Sequence, residues 1–318
     1  MIPKILVVTP TSHIDGVNRI LESFAEVFYL DDPSEQEVLD IVCKYDAVFT
    51  NPNKSKIFIG KDIIDKGTKL KCICTASTGT NHIDKEYVIS KGIKIISLTE
   101  ERETINKIGS TAELAFALTM SSLRNVVNSH QGALEGEWNY SKFIGRQLNS
   151  LSIGVIGYGR LGKFYSSYFE PFKSKVRVFD PYKKVKDFEQ MQDLESLIQV
   201  SDVISLHVHV TEETINLINS ESLLAAKEDI LIINTSRGEI INEDDVVRFL
   251  KSNKQAKLAT DVLRDEIRDR ENSPLLEYAK SSNQVTITQH IGGMTKEAQE
   301  IAYNHAASML TIFLKQTS

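Results

Sequence analysis

The sequence predicts an α/β protein of two domains, with a doubly wound parallel sheet inserted into a smaller α/β domain. Three observations predict it. Strand-like runs rich in Val and Ile alternate with helix-like runs over nearly the whole chain. A glycine-rich turn, IGVIGYGRLG at residues 153–162, opens a second round of that alternation near mid-chain. The 318 residues also exceed what one hydrophobic core usually serves.

Taken in order, the first hundred residues hold five strand candidates, KILVVT, EVFYL, DAVFTN, KCICTA and IKIISL. Between them lie the helix candidates VNRILESFA, SEQEVLDIVCKY, GKDIIDKG and DKEYVISKG. Lys-Gly closes the last two, a normal helix C-terminal signal. This part reads as a flavodoxin-like domain. Residues 103–128, ETINKIGSTAELAFALTMSSLRNVVN, form a long helical stretch that joins it to the next domain. The middle of that stretch, AELAFALTM, is apolar almost all round and should be buried between domains or subunits.

Six further strand candidates follow: LSIGVIG, KVRVFD, DVISLHV, DILIIN, KLATDV and NQVTIT. Helix candidates among them include RLGKFYSSYFEPF, TINLINSESLLAAK and EDDVVRFLKS. Six strands with crossover helices over roughly 151–288 make a complete Rossmann sheet. After His290 one helix remains, TKEAQEIAYNHAASMLTIFLKQ, with no strand behind it. Packing back on the first domain is its cheapest solution. The expected domains are therefore 1–100 with 290–318, a discontinuous substrate (catalytic) domain, and 101–289, a nucleotide-binding domain.

Composition narrows the function classes. Charged residues make up 25% and hydrophobic ones 41%, as in an ordinary globular protein. A formal net charge of −6 offers no basic field for nucleic acid and no attraction to an anionic membrane surface. The start, MIPKILVVTP, has too short an apolar run for a signal peptide, and no stretch approaches the roughly 18 apolar residues of a membrane span. Cys43, Cys72 and Cys74 make neither a disulfide framework nor a zinc site, and no metal is expected. The expectation is a cytoplasmic, reduced protein.

The glycine turn sits where a dinucleotide needs it, after a strand and before a helix. Gly157 permits the tight turn, Gly159 lets a pyrophosphate approach the backbone, and Gly162 lets helix and strand pack closely. The helix beginning at Arg160 and Leu161 offers unpaired amides and a positive dipole end to the phosphates. Asp180 ends the next strand and would accept hydrogen bonds from the adenosine ribose hydroxyls, which favours NAD over NADP. Lys183 and Lys184 nearby could soften its repulsion of a 2′-phosphate.

Three later segments bring chemistry: INTSRGEIIN (233–242), LATDVLRDE (258–266) and TQHIGGMT (288–295). They follow or run out of strand ends, where ligands of open α/β sheets bind. Arg237, Glu266 and His290 can therefore converge despite their separation. Together with STAE at 110–113, Gly136-x-Trp138 and Leu206-His207, these segments make the chain similar to the D-isomer-specific 2-hydroxyacid dehydrogenases. That family includes the D-lactate, D-glycerate and D-3-phosphoglycerate dehydrogenases.

The resemblance covers nearly the full length and implies a small 2-hydroxy or 2-keto acid substrate, NAD as cofactor and a catalytic Arg237–Glu266–His290 set. Reduction of a keto acid needs a hydride on carbon and a proton on oxygen, and an imidazole suits the proton. Glu266 would orient the ring and favour the imidazolium, while Arg237 would hold the carboxylate and keto oxygen with a planar fork. ASTGTNHID (76–84) resembles the substrate loop, with Ser77, Thr78 and Gly79 offering backbone N–H groups to the carboxylate. Asp261 would meet the nicotinamide carboxamide; Thr235, Ser236 and Gly292 would lie near the nicotinamide, and His207 and Thr214 would line the cofactor site. The family dimerises through the region of the apolar helix 111–120, so a homodimer through the nucleotide-binding domain is expected. The regulatory tail domain of longer phosphoglycerate dehydrogenases is not expected.

Some positions depart from the family pattern. Gln289, Ile267 and His209 stand where proline is common, and Asn242 where aspartate often appears. These reshape loops without removing a reacting group. His13, His82 and His130 have no partner pattern and read as non-catalytic. In NPNKSKIF (51–58), Lys54 or Lys56 could meet a substrate phosphate or remain solvated. Two rival classes share the fold: a non-catalytic NAD-sensing scaffold of the corepressor type, and a formate or phosphite dehydrogenase. The complete Arg–Glu–His set favours catalysis. Formate dehydrogenases usually pair the histidine with glutamine, so Glu266 argues against that branch.

Overall fold

Short runs of buried Val, Ile and Cys become strands in both parts of the chain, and the connecting runs coil over their faces. The computed structural model describes residues 2–52, 57–267 and 269–317. It divides into two units, Met1–Ile108 with Gly293–Ser318 and Gly109–Gly292. Lys54 and Lys56 lie outside the described residues.

In the first unit the order is β1 (Lys4–Val7), α1 (Val17–Glu22), β2 (Glu26–Tyr29), α2 (Glu35–Ile41), β3 (Ala47–Thr50), α3 (Lys61–Lys66), β4 (Cys72–Thr75), α4 (Lys85–Ser90), β5 (Lys94–Ile96) and α5 (Arg102–Ile105). All strand pairs are parallel in the order β2-β1-β3-β4-β5, the flavodoxin-like arrangement. Alternate residues serve opposite faces. Ile5, Val7, Phe49 and Cys74 pack with Tyr303, Ala306 and Leu310 of the C-terminal helix Lys296–Thr317, while Leu6, Val48 and Ile73 pack with Val38, Ile63 and Val88. The helix after His290 thus returns to the first sheet.

The second unit runs α6 (Ser110–Leu123), α7 (Val126–Leu134), β6 (Ser152–Ile156), α8 (Arg160–Tyr168), β7 (Lys175–Phe179), β8 (Glu189–Gln190), α9 (Leu194–Val200), β9 (Val203–Leu206), β10 (Leu231–Asn234), α10 (Glu243–Ser252), β11 (Lys257–Thr260), α11 (Pro274–Ala279) and β12 (Val285–Ile287). Its sheet is parallel throughout in the order β12-β11-β10-β9-β6-β7-β8. The strand order reverses between β6 and β9, the switch point at which such sheets bind ligands. All six expected strands form, and the two-residue β8 adds a seventh.

Three expectations need correction. The stretch 103–128 is not one helix but α5, α6 and α7: the chain breaks near Gly109 and again at Asn125, which takes a left-handed conformation with φ 53°. Within it, α6 packs on α8, β10 and β11 and buries Ala112, Ala115 and Leu118 in its own unit's core. TINLINSESLLAAK (214–227) is a series of turns with a short 3₁₀ segment, Ser222–Ala225, rather than a helix. There the Asn219 side chain accepts from the backbone of Glu221 and Ser222, and Ile218 bridges to Ile241, so local polar turns outcompete the helix. The first unit extends to Ile108, beyond the expected 100, because α5 packs on the C-terminal helix. The return crossing follows Gly292.

Candidate active site

The end of β6 shows why glycine occupies the turn. Gly157 has φ +91°, and a Cβ on it would stand 2.6 Å from the His207 carbonyl oxygen. A Cβ on Gly162 would stand 2.0 Å from the Gly157 carbonyl oxygen, so the first turn of α8 rests directly on the loop. Above Gly159 the space is open up to the Lys183 ammonium, 3.9 Å from such a Cβ. Gly159 caps α8, and Arg160 and Leu161 begin it.

Asp180 follows β7 and is buried. Its carboxylate accepts from the backbone N–H of Tyr158 (2.8 Å), Tyr182 (2.9 Å) and Lys183 (3.1 Å). It therefore fastens the glycine loop to the β7 turn. The Lys183 ammonium lies 3.4 Å from the Tyr158 carbonyl oxygen.

His207 and Thr235 stand just past the ends of the neighbouring strands β9 and β10. The His207 ring packs at a tilt against Tyr165, with centroids 4.9 Å apart, and its Nε2 pairs with the Ser205 hydroxyl at 2.9 Å. Burial pushes this imidazole down to about 3, so it is neutral at ordinary pH. His207 Nδ1 and Thr235 Oγ1 are buried without a hydrogen-bond partner among the described residues. Such orphaned groups fit a site whose partners come from a ligand. With the open space over Gly159, they fit a dinucleotide laid across the switch point. Ser236 donates its hydroxyl to the Leu206 carbonyl oxygen (2.6 Å), and Thr214 closes a turn by accepting from Thr211 N–H (2.8 Å).

The three reacting candidates belong to adjacent strands. Arg237, Glu266 and His290 lie three, six and three residues past the ends of β10, β11 and β12. His290 Nδ1 hydrogen-bonds to one oxygen of Glu266; both side chains are 18% exposed. The other Glu266 oxygen accepts from Leu263 N–H at 3.3 Å. Arg237 has extended backbone, and its Nη1 donates to the Ser236 carbonyl oxygen at 2.6 Å.

His290 is itself left-handed, with φ 53°, a conformation that costs a non-glycine residue about 1–3 kcal/mol unless its surroundings hold it. Asp261 does the holding. Its carbonyl oxygen accepts from His290 N–H (2.9 Å), and its buried carboxylate accepts from Ile291 N–H (2.9 Å), Gly292 N–H (2.8 Å) and the Thr288 hydroxyl. A carboxylate offers about four lone-pair sites, so one remains for a carboxamide.

Ser77, Thr78 and Gly79 belong to the first unit, directly after β4. The Ser77 hydroxyl donates to the Gly79 carbonyl oxygen (2.6 Å), and the Thr99 hydroxyl donates to that of Thr78 (3.1 Å). Two residues carry no signal in the sequence: Glu243 opens α10 and is fully buried, and Thr288 donates its hydroxyl to Asp261. Only folding brings each to its partners. Among the described residues no cluster of His, Cys, Asp and Glu could hold a metal ion, and no helix is long and apolar enough to cross a membrane.

Residues 116–292 match the family model described as D-isomer specific 2-hydroxyacid dehydrogenase, NAD binding domain. The chain is 32% identical over 302 residues to the D-3-phosphoglycerate dehydrogenase of Synechocystis sp., covering 93% of this chain and 51% of that protein. It is 32% identical over 271 residues to the hydroxypyruvate reductase of Thermotoga maritima, covering 83% of each. The solved D-lactate dehydrogenase of Aquifex aeolicus, complexed with NAD and lactic acid, superposes with a TM-score of 0.81 at 26% identity, covering 98% of this chain and 96% of that one. The chain spans about half the length of several D-3-phosphoglycerate dehydrogenases that it matches.

Proposed function

Because the chain belongs to the D-isomer-specific 2-hydroxyacid dehydrogenases, we propose that it is an NAD-dependent oxidoreductase interconverting a D-2-hydroxy acid and its 2-keto acid. The observation that carries this reading is the hydrogen bond from His290 to Glu266 on the strand ends next to the Arg237 loop. Bound NAD supplies the hydride acceptor or donor. Glu266 holds the His290 ring through Nδ1, so Nε2 is the atom that gives a proton to the keto oxygen or takes one from the hydroxyl. Arg237 grips the carboxylate and polarises the oxygen with its guanidinium fork. Ser77, Thr78 and Gly79 of the first unit are assigned to substrate binding through their backbone amides, by likeness to the family's substrate loop.

On the cofactor side, Gly157, Gly159, Arg160, Leu161 and Gly162 receive the diphosphate, and Asp180 the adenosine ribose. His207, Thr214, Thr235, Ser236, Asp261 and Gly292 line the remainder. Two orphaned atoms, His207 Nδ1 and Thr235 Oγ1, support that assignment. A second copy of the chain is the partner assigned to the apolar strip of Val126, Val127, Leu134, Trp138, Tyr140 and Ile144, all more than half exposed. Three unpaired cysteines suit the reduced cytoplasm.

Replacing His290 by alanine tests the chemistry. Turnover of a 2-keto acid should fall at least about a hundredfold, as for loss of positioned acid–base catalysis, while NADH binding by fluorescence persists. Near-normal turnover would defeat the assignment.

A further inference from the structure

We propose that Glu243 is a positioning residue, which ties down both ends of the loop carrying Glu266 and so keeps that carboxylate on His290. The proposal rests on the catalytic reading of the Glu266–His290 pair given above. Glu243 opens α10, where an acidic side chain ordinarily lies in solvent beside the helix dipole. Here it is 0% exposed, while Asp244 next to it is exposed. One Glu243 oxygen accepts from Arg264 N–H at 2.8 Å, and the other accepts from the Ser273 hydroxyl at 2.7 Å. Those two partners bracket the loop that bears Glu266.

Burying a carboxylate is unfavourable unless its hydrogen bonds are well formed, and no cation pairs with Glu243 among the described residues. Its hold on the loop is therefore demanding in geometry. Ser273 is fixed in turn, because its hydroxyl also accepts from Leu276 N–H (3.2 Å) as the cap of α11. A Cβ on Gly238 would stand 2.0 Å from the Leu263 carbonyl carbon and 2.2 Å from Arg264 N, so the turn after Arg237 rests on the root of the same loop. From α10 the linkage runs through Arg264 and Ser273 to Glu266, and from Glu266 to the His290 ring.

The test compares Glu243→Ala, Glu243→Gln, Ser273→Ala and Glu266→Gln with the unaltered protein. Turnover is read with NADH and the fastest of glyoxylate, pyruvate, hydroxypyruvate and phosphohydroxypyruvate. NADH binding is read by fluorescence, and the His290 ring proton by its downfield resonance, identified by its loss in His290→Gln. Glu243→Ala should lower kcat tenfold or more, leave the NADH Kd within twofold and broaden the ring-proton resonance. Glu243→Gln keeps an acceptor for Arg264 and a group for Ser273, so it should restore kcat to within threefold, together with the resonance. Should Glu243→Ala fail to fold, Ser273→Ala removes one of the two ties and should lower kcat severalfold in the same pattern. Unchanged kcat and resonance in folded Glu243→Ala or Ser273→Ala, with Glu266→Gln impaired, would overturn the positioning role alone. Unimpaired Glu266→Gln would overturn the catalytic pair beneath it.

Discussion

At the scale of single residues, the cofactor side contains two groups whose setting can be tested. Burial holds the His207 imidazole at about 3, against an ordinary 6.5. The folded value is the lower one, so on acidification the unfolded chain binds this proton first. The stabilising effect is complete above pH 6.5 and is lost as pH falls from there toward 3. Its slope is at most about 1.4 kcal/mol per pH unit. His207→Gln should flatten the fall of melting temperature between neutral and mildly acid pH; parallel curves for the two proteins would contradict the burial argument. Asp180 fastens Tyr158 of the glycine loop, and in the proposed function it also receives the adenosine ribose. Asp180→Ala should weaken NADH binding and narrow the preference for NADH over NADPH. An unchanged ratio of the two affinities would remove its ribose role.

At the scale of elements, most strands were legible because runs such as LIIN and CICT are buried at every position and rich in apolar residues. The helices were less so. Residues 214–227 have apolar spacing fit for a helix, but side chains of Asn219 and Ser222 bond the local backbone and stop it. Of the site, the glycine turn and the Arg237, Glu266 and His290 segments were legible, because their chemistry is written into short motifs. The ties made by Asp261 and Glu243 were not, because their partners are backbone amides and hydroxyls that no motif advertises. α7 is a further case: none of its nine residues is buried, although an isolated helix of that length is marginal in water. The sole tryptophan, Trp138, follows it and is 88% exposed. A second copy covering this strip would shift Trp138 emission to the blue. Dilution or Leu134→Glu should return it to the red, with light scattering reporting a monomer. Red, concentration-independent emission from a monomeric wild type would rule out that interface.

At the scale of the whole molecule, the chain crosses from one unit to the other after Ile108 and returns after Gly292. The second crossing lies two residues beyond His290, so the loop that Asp261 clasps also leads out of the nucleotide-binding unit. The most direct measurement is NADH absorbance over a panel of 2-keto acids, including pyruvate, hydroxypyruvate, phosphohydroxypyruvate, glyoxylate and branched-chain analogues, with chiral analysis of the product. NADH should be consumed with at least one of them, and every chiral product should be the D-configured hydroxy acid. No turnover across the panel, or an L-configured product, would contradict the proposed function.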